Sequence, residues 1–433
     1  MKREKMNELI AWKGSESRKP MVVLGARQVG KTWLMKEFGS EHFERTAYIN
    51  LNNNDRMQGL FSMSHDIRRL VKGLELETEC AIEPGSTLLI LDDIQEIPNA
   101  LSSLGLFFES APEYAVMAGC RTEDAPFPEG KVDFCHLRPM TFLEFLEGIR
   151  EGSHAMQLRG KIDWMRISYS KSRYVDLLRN YFYVGGMPGV VAEYAKSGDY
   201  AKARGVQEWI LTSIENDFAK RSSNIDISLT RSAWRSIPAQ LSRKNKKFSP
   251  GVVKKMTRYS DYESALQWLQ DCGLIHKCRR VVNPPLLPSS QKDKDFKIYM
   301  LDIGLLGAAL SLDARVLLDG NRIFEGFKGA LMEQYISQET VACGIEHSFW
   351  RSIGTAEVDF VLRRGKDICP LEVHVEENLQ SKSLSVYREM FEPTVSYRTS
   401  LQGYRDDGWM VHVPLYAIGV FFNEYPEISK RRG

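Results

Sequence analysis

The chain has 433 residues, too many for one ordinary core, so two to four domains are expected. Its 43% hydrophobic and 26% charged content is that of a globular protein, and a net charge of +2 excludes a global field aimed at nucleic acid or membrane, so any basic surface must be local. The seven Cys are scattered and contain no C-x-x-C pair, which argues for reduced thiols in a cytoplasmic protein, and no apolar run of secretory or transmembrane length occurs, so no membrane partner is expected.

In chain order, a short lead-in helix and a polar loop reach Pro20. Met21 to Leu24 is apolar throughout and reads as a buried parallel strand. It runs into Gly25-Ala26-Arg27-Gln28-Val29-Gly30-Lys31-Thr32, after which Trp33 to Phe38 reads as the first turns of a helix. The spacing G-x-x-x-x-G-K-T between a strand and a helix is a phosphate-binding loop. Its glycines let successive N–H groups turn toward one anion, and the following helix adds its positive dipole end. Lys31 can reach the outer phosphates of a nucleotide and the Thr32 hydroxyl can ligate magnesium. Further strands are expected at 46–51, 87–93, 114–119 and 132–137, with helical spacing over 55–78 and 99–111. Strands alternating with helices predict a parallel sheet with ligands at its carboxyl end.

From Thr141 to about 220 the apolar spacing is helical, interrupted by Val184-Gly185-Gly186-Met187-Pro188, and predicts a helical lid. Helical stretches at 230–242, 249–258 and 261–271, then strands at 274–278 and 297–301, are the parts of a winged helix. Arg231 to Arg258 holds nine Lys or Arg and no acid. Within it Arg243, Lys244, Lys246, Lys247, Lys254 and Lys255 are candidate contacts to DNA phosphates, against the plainer reading of a solvated face. Residues 321–433 read as a helix from Phe327 to Val341, short strands at 348–351, 357–362 and 368–375, a helix at 380–390 and strand-like runs over 409–421.

Two acidic constellations carry candidate chemistry. Asp92 and Asp93 close an apolar strand some sixty residues after Lys31, the setting of a Walker B element. Asp92 would hold magnesium and Asp93 would orient water; the plainer reading is a helix cap. Asp93 is one methylene shorter than the more usual Glu, which favours slow hydrolysis. Arg121 and Arg138 are candidates to touch phosphate, within the chain or across a subunit boundary. The second set is Glu333, Asp359 and Glu372, with the D-x(12)-E spacing of a divalent-metal site that cleaves phosphodiesters. His374 lies two residues beyond Glu372, where such sites usually place Lys, and a neutral imidazole is a poor substitute.

Taken together, Gly25–Thr32, Leu91-Asp92-Asp93-Ile94-Gln95-Glu96, Arg138-Pro139-Met140-Thr141-Phe142, Val184–Pro188, Leu301-Asp302-Ile303-Gly304, Lys328–Glu333 and Ala356-Glu357-Val358-Asp359-Phe360 resemble a family of bacterial and archaeal AAA-type ATP-binding proteins whose C-terminal half is a domain of unknown function. The resemblance runs nearly end to end. It implies an ATP- and magnesium-binding AAA domain, a winged helix and a restriction-endonuclease-like C-terminal fold. This chain departs from the family at Asp93 (usually Glu), at Gly119-Cys120-Arg121 (usually Gly-Ser) and at His374 (usually Lys).

The expected fold is α/β: a P-loop parallel-sheet domain over 1–147, a helical lid over 148–226, a winged helix over 227–310 and a restriction-endonuclease-like α/β domain over 311–433. The expected site is Gly25 to Trp33 for nucleotide, Thr32 and Asp92 for magnesium, and Lys31 with Asp93 for hydrolysis. The leading reading is a slow ATPase acting as a nucleotide-dependent switch. A nucleotide-regulated DNA-binding module and a degenerate nuclease are its rivals, and a homo-oligomer stays open.

Overall fold

The structure is a computed structural model. It describes residues 1–63, 66–220, 226–284, 295–315, 322–364, 367–374 and 382–424. Chain contacts divide it into two units, Met1–Arg138 with Asp271–Gly273, and Pro139–Gln270 with Leu274–Gly433.

The first unit is built on five parallel strands: β1 (Met21–Leu24), β2 (Arg45–Asn50), β3 (Thr87–Asp92), β4 (Ala115–Cys120) and β5 (Asp133–His136), in the order β2-β3-β4-β1-β5. The three inner strands β1, β3 and β4 are buried at every residue, which is why they read as unbroken apolar runs and not as alternating ones. One face packs Val22, Leu24, Leu89, Leu91, Val116 and Ala118 against Leu70, Leu74, Leu101 and Leu104 of the covering helices. Each such side chain contributes on the order of 1.5–3 kcal/mol on burial. The helical spacing over 55–78 resolves into two helices, Asp55–Met63 and Ile67–Thr78. Asp66 divides them, because its side chain accepts the Arg68 N–H at 3.0 Å as an N-cap.

The second unit opens with helices Phe142–Gly148, Gly152–Leu158, Trp164–Tyr169, Lys171–Val184, Pro188–Ser197 and Tyr200–Lys220. The glycine-rich break at 185–187 is held by Asp302, whose buried carboxylate accepts the Gly186 N–H at 2.6 Å while capping helix Ile303–Ala309 through the Leu305 N–H at 3.0 Å. Two motifs more than a hundred residues apart are therefore one structural joint.

Helices Ile227–Leu241, Pro250–Val253 and Tyr259–Asp271 then lead to the hairpin β6 (Ile275–Val281) and β7 (Phe296–Met300). That hairpin is not a free wing. β6 pairs in parallel with β8 (Glu346–Arg351), so both strands belong to an eight-stranded mixed sheet with β9 (Glu357–Arg364), β10 (Asp367–Val373), β11 (Ser396–Ser400), β12 (Arg405–Asp406) and β13 (Met410–Pro414). The order is β12-β13-β11-β10-β9-β8-β6-β7. Helix Arg322–Ala342 packs on this sheet, with contacts to β7, β8 and β10. Among the described residues no helix is long and apolar enough to cross a membrane.

Candidate functional site

The residues of the expected phosphate-binding loop lie where β1 turns into helix Lys31–His42. Gly30 caps that helix at φ +96°, a backbone that a side chain would strain. Gln28 adopts φ +66° without that freedom, a local strain of the kind concentrated at functional sites. Lys31 is 7% exposed, and its Nζ donates to the Gly25 carbonyl at 2.7 Å and the Ala26 carbonyl at 2.9 Å. Burial pulls this ammonium down to about 8, against the opposing charges of Asp92 and Asp93. A buried cation bonded only to neutral carbonyls is matched to an incoming anion. Ala26 and Val29 are buried and pack the loop; Arg27 is half-buried, and Trp33 points outward at 40% exposure.

β3 delivers Asp92 beside the loop. Its Oδ2 accepts the Thr32 hydroxyl at 2.5 Å and the Tyr48 hydroxyl at 3.2 Å, and its Oδ1 accepts the Asp93 N–H at 3.0 Å. Room for this carboxylate depends on Gly119, where a Cβ would come within 2.3 Å of Asp92 Oδ1. Asp93 follows at φ +56° and turns its side chain to Arg121, whose Nε donates to Oδ1 at 2.6 Å. Gln95 supports the pair, accepting the Arg121 backbone N–H at 3.2 Å. Burial alone would raise the Asp93 carboxyl, but the hydrogen bond and charge of Arg121 outweigh it and hold it below the ordinary range. Arg138 instead pairs with Glu123 at 3.3 Å.

Sequence reasoning singled out every residue of the loop and both acids, and the structure brings them together. It missed Tyr48 and gave Arg121 no partner. The signal for both is topological: β3 lies between β2 and β4, so residues at the carboxyl ends of those two strands flank Asp92 and Asp93.

The second acidic set is assembled differently. Glu333 is 4% exposed and is met by Lys246, by Lys297 Nζ at 3.3 Å and by the Tyr299 hydroxyl at 2.8 Å. Lys297, 3% exposed, also reaches Glu357 at 3.1 Å, which Arg351 holds through its Nε at 2.8 Å. Burial would raise Glu333, yet the two lysines bring it down to about 2. Asp359 is raised to about 7, first by loss of solvation and then by the Glu333 charge, while its Oδ2 accepts the Val373 N–H at 2.9 Å. Glu372 pairs with His374 Nε2 at 3.0 Å. Among the described residues no three acids, imidazoles or thiols gather closely enough to hold a metal, so the expected Glu333–Asp359–Glu372 centre is not assembled as such. The expected DNA contacts divide too. Lys246 and Lys247 turn onto Glu333 and Asp295, whereas Arg243, Lys244, Lys254 and Lys255 are exposed.

Comparison with known proteins agrees with the first unit. Residues 17–146 match the family model of an AAA domain. This stretch is similar to an AAA-type, P-loop domain. Residues 175–316 match a domain of unknown function (DUF8612), and residues 328–417 match another (DUF4143). No curated protein matches the chain. Among solved structures it is similar to a Walker-type ATPase of Pyrococcus abyssi, at 13% identity over 71% of this chain and 95% of that one, with a TM-score of 0.44. It is similar also to the ORC1 protein of Aeropyrum pernix in complex with DNA, at 13% identity over 72% and 93% of the two chains and a TM-score of 0.29. For the Drosophila ORC bound to DNA the identity is 14%, the coverage 71% and 94%, and the TM-score 0.26.

Proposed function

We propose that this AAA-type domain binds ATP with magnesium and hydrolyses it slowly, so that the bound nucleotide acts as a switch. The observation that carries the slow step is the grip of Arg121 on Asp93. Lys31 would exchange the two loop carbonyls for phosphate oxygens, a stronger, charge-assisted pairing. The Thr32 hydroxyl and Asp92 carboxylate already touch and are hard oxygen donors, the set that suits magnesium, so these two residues would hold it. The metal would supply charge neutralisation on the triphosphate. Asp93 is the residue placed to orient water, but a carboxylate held below its ordinary range by a guanidinium is a weak base in a fixed direction. Tyr48 steadies Asp92 from the neighbouring strand.

The test is magnesium-dependent ATP turnover of the wild type against Asp93→Glu. A gain of about tenfold or more is expected, because a longer acid can reach past the arginine. Equal turnover in the two proteins would remove the argument for slow hydrolysis at this position.

A second reading rests on the exposed cations Arg243, Lys244, Lys254 and Lys255 on either side of the short helix Pro250–Val253. They would contact DNA phosphates, with a log–log salt slope of about −3 to −4 for four contacts. A flat salt response would remove this reading. On a restriction-endonuclease-like reading of the C-terminal sheet, Glu333 is engaged by Lys246 and Lys297 and Glu372 by His374, and the domain would not cleave DNA.

A further inference from the structure

Three parallel strands in the second unit hold a polar row that runs on from Glu372 into residues none of the sites above uses. β10, β11 and β13 run parallel, and their register sets Glu372 opposite Arg398, Arg398 opposite His412, and His412 opposite Arg405 of β12. Residues directly opposite share a face, so four polar side chains stand in line across four strands. Ser400, two residues beyond Arg398, extends the same face, and its Oγ lies 3.1 Å from His412 Nε2. Arg405 is engaged by Asp407, with Nε at 3.0 Å and Nη2 at 2.6 Å.

Arg398 differs from the rest of the row. It is 1% exposed, yet its Nε and Nη1 are buried without a hydrogen-bond partner, and the carboxylates of Glu372 and Asp407 act on it only through their charge, without an ion pair. A guanidinium cannot shed its proton, so burial does not neutralise it as it would a lysine or histidine. A buried permanent charge is stable only with a counter-charge or a full set of acceptors. Burial, followed by the charges of Arg398 and Arg405, pushes the His412 imidazole down to about 4, so it stays neutral.

We propose that Arg398, with Ser400 and His412 beside it, forms a binding site for a small phosphate-like oxyanion. A guanidinium, an imidazole and a hydroxyl at one spot suit a tetrahedral anion with several acceptor oxygens better than a planar carboxylate, which a single guanidinium satisfies. Ser400 and His412 are 5% and 3% exposed, which favours a free phosphate or the terminal phosphate of a small molecule over a sugar–phosphate chain. The site does not depend on the nucleotide reading of the first unit.

The experiment is calorimetric titration of the full chain with inorganic phosphate in a Lys31→Ala background, which removes the other phosphate-binding loop. One phosphate per chain is expected, with a loss of about tenfold or more in Arg398→Met and a smaller loss in Arg398→Lys, which keeps the charge but not the fork. An oligonucleotide without terminal phosphates is expected not to compete. Unchanged phosphate affinity in Arg398→Met would overturn the proposal, and so would Arg398-dependent competition by the oligonucleotide, which would assign the residue to nucleic acid instead. Circular dichroism checks folding. If Arg398→Met does not fold, Arg398→Lys and His412→Asn decide, and equal affinity in both overturns the site.

Discussion

At the end of β3, Asp92 accepts hydrogen bonds from Thr32, Tyr48 and the Asp93 amide, all neutral donors. In the second unit Glu333 is just as buried, but two of its three partners are the ammonium groups of Lys246 and Lys297. Both arrangements satisfy a carboxylate away from water. Only the first has no cation bonded directly to its carboxylate, so that a metal can enter by displacing a hydroxyl. The second is already electrically closed, and a metal would have to expel the buried Lys297 and the half-buried Lys246. Acid spacing alone therefore does not distinguish a metal site from a structural ion network; the charge of the groups that face the acids does.

The comparison breaks most visibly if the lysines of the second site are dispensable. Lys297→Met leaves Glu333 and Glu357 short of a buried counter-charge and is expected to cost on the order of 3–5 kcal/mol, measured by denaturant unfolding. The double variant Lys297→Met, Glu333→Gln should recover part of that loss. A cost within 0.5 kcal/mol, as for an ordinary surface substitution, would mean the network is not closed in the sense argued.

In the first site, Lys31→Ala is expected to weaken triphosphate binding by about 100-fold, the worth of two charge-assisted hydrogen bonds, read by nucleotide titration. Full affinity in that variant would place the nucleotide elsewhere. Arg121→Ser frees Asp93 and should raise ATP turnover by about tenfold with little change in affinity, whereas Asp93→Ala should abolish turnover. A fall in turnover on removing Arg121 would make the arginine a helper and not a restraint.

The smallest effect is in pH. Burial lowers the Lys31 ammonium to about 8 in the free protein, and bound phosphates would raise it again. Below about pH 8 the proton is already present, so affinity should be flat there. Above it, binding must take up a proton, and affinity should fall by up to about tenfold per pH unit. Lys31→Arg keeps its charge and should show no such fall; a wild type equally flat to pH 10 would show that Lys31 is not the group that matters.

What was legible and what was not follows from range along the chain. The loop from Gly25 to Thr32 could be read because its strand, turn and helix are neighbours in sequence, and the same backbone rules place its N–H groups wherever that pattern occurs. The three inner strands of the first unit could be read because burial on both faces writes continuous apolar runs. Asp92 could be read from its place at the end of such a run. Apart from the pairing of Thr32 with Asp92, the partners of these groups were not legible. Arg121 reaches Asp93 because β4 lies next to β3 in a sheet whose order differs from its sequence order. Lys297 meets Glu333 because the hairpin β6–β7 joins the C-terminal sheet instead of standing as a wing, and Arg398 falls in line with Glu372 and His412 through register alone. The amino-acid sequence by itself determined which groups are present and which local backbone carries them. The tertiary structure decided which charges face one another, because a carboxylate's chemistry is set within about 4 Å, a distance that strand order and register control.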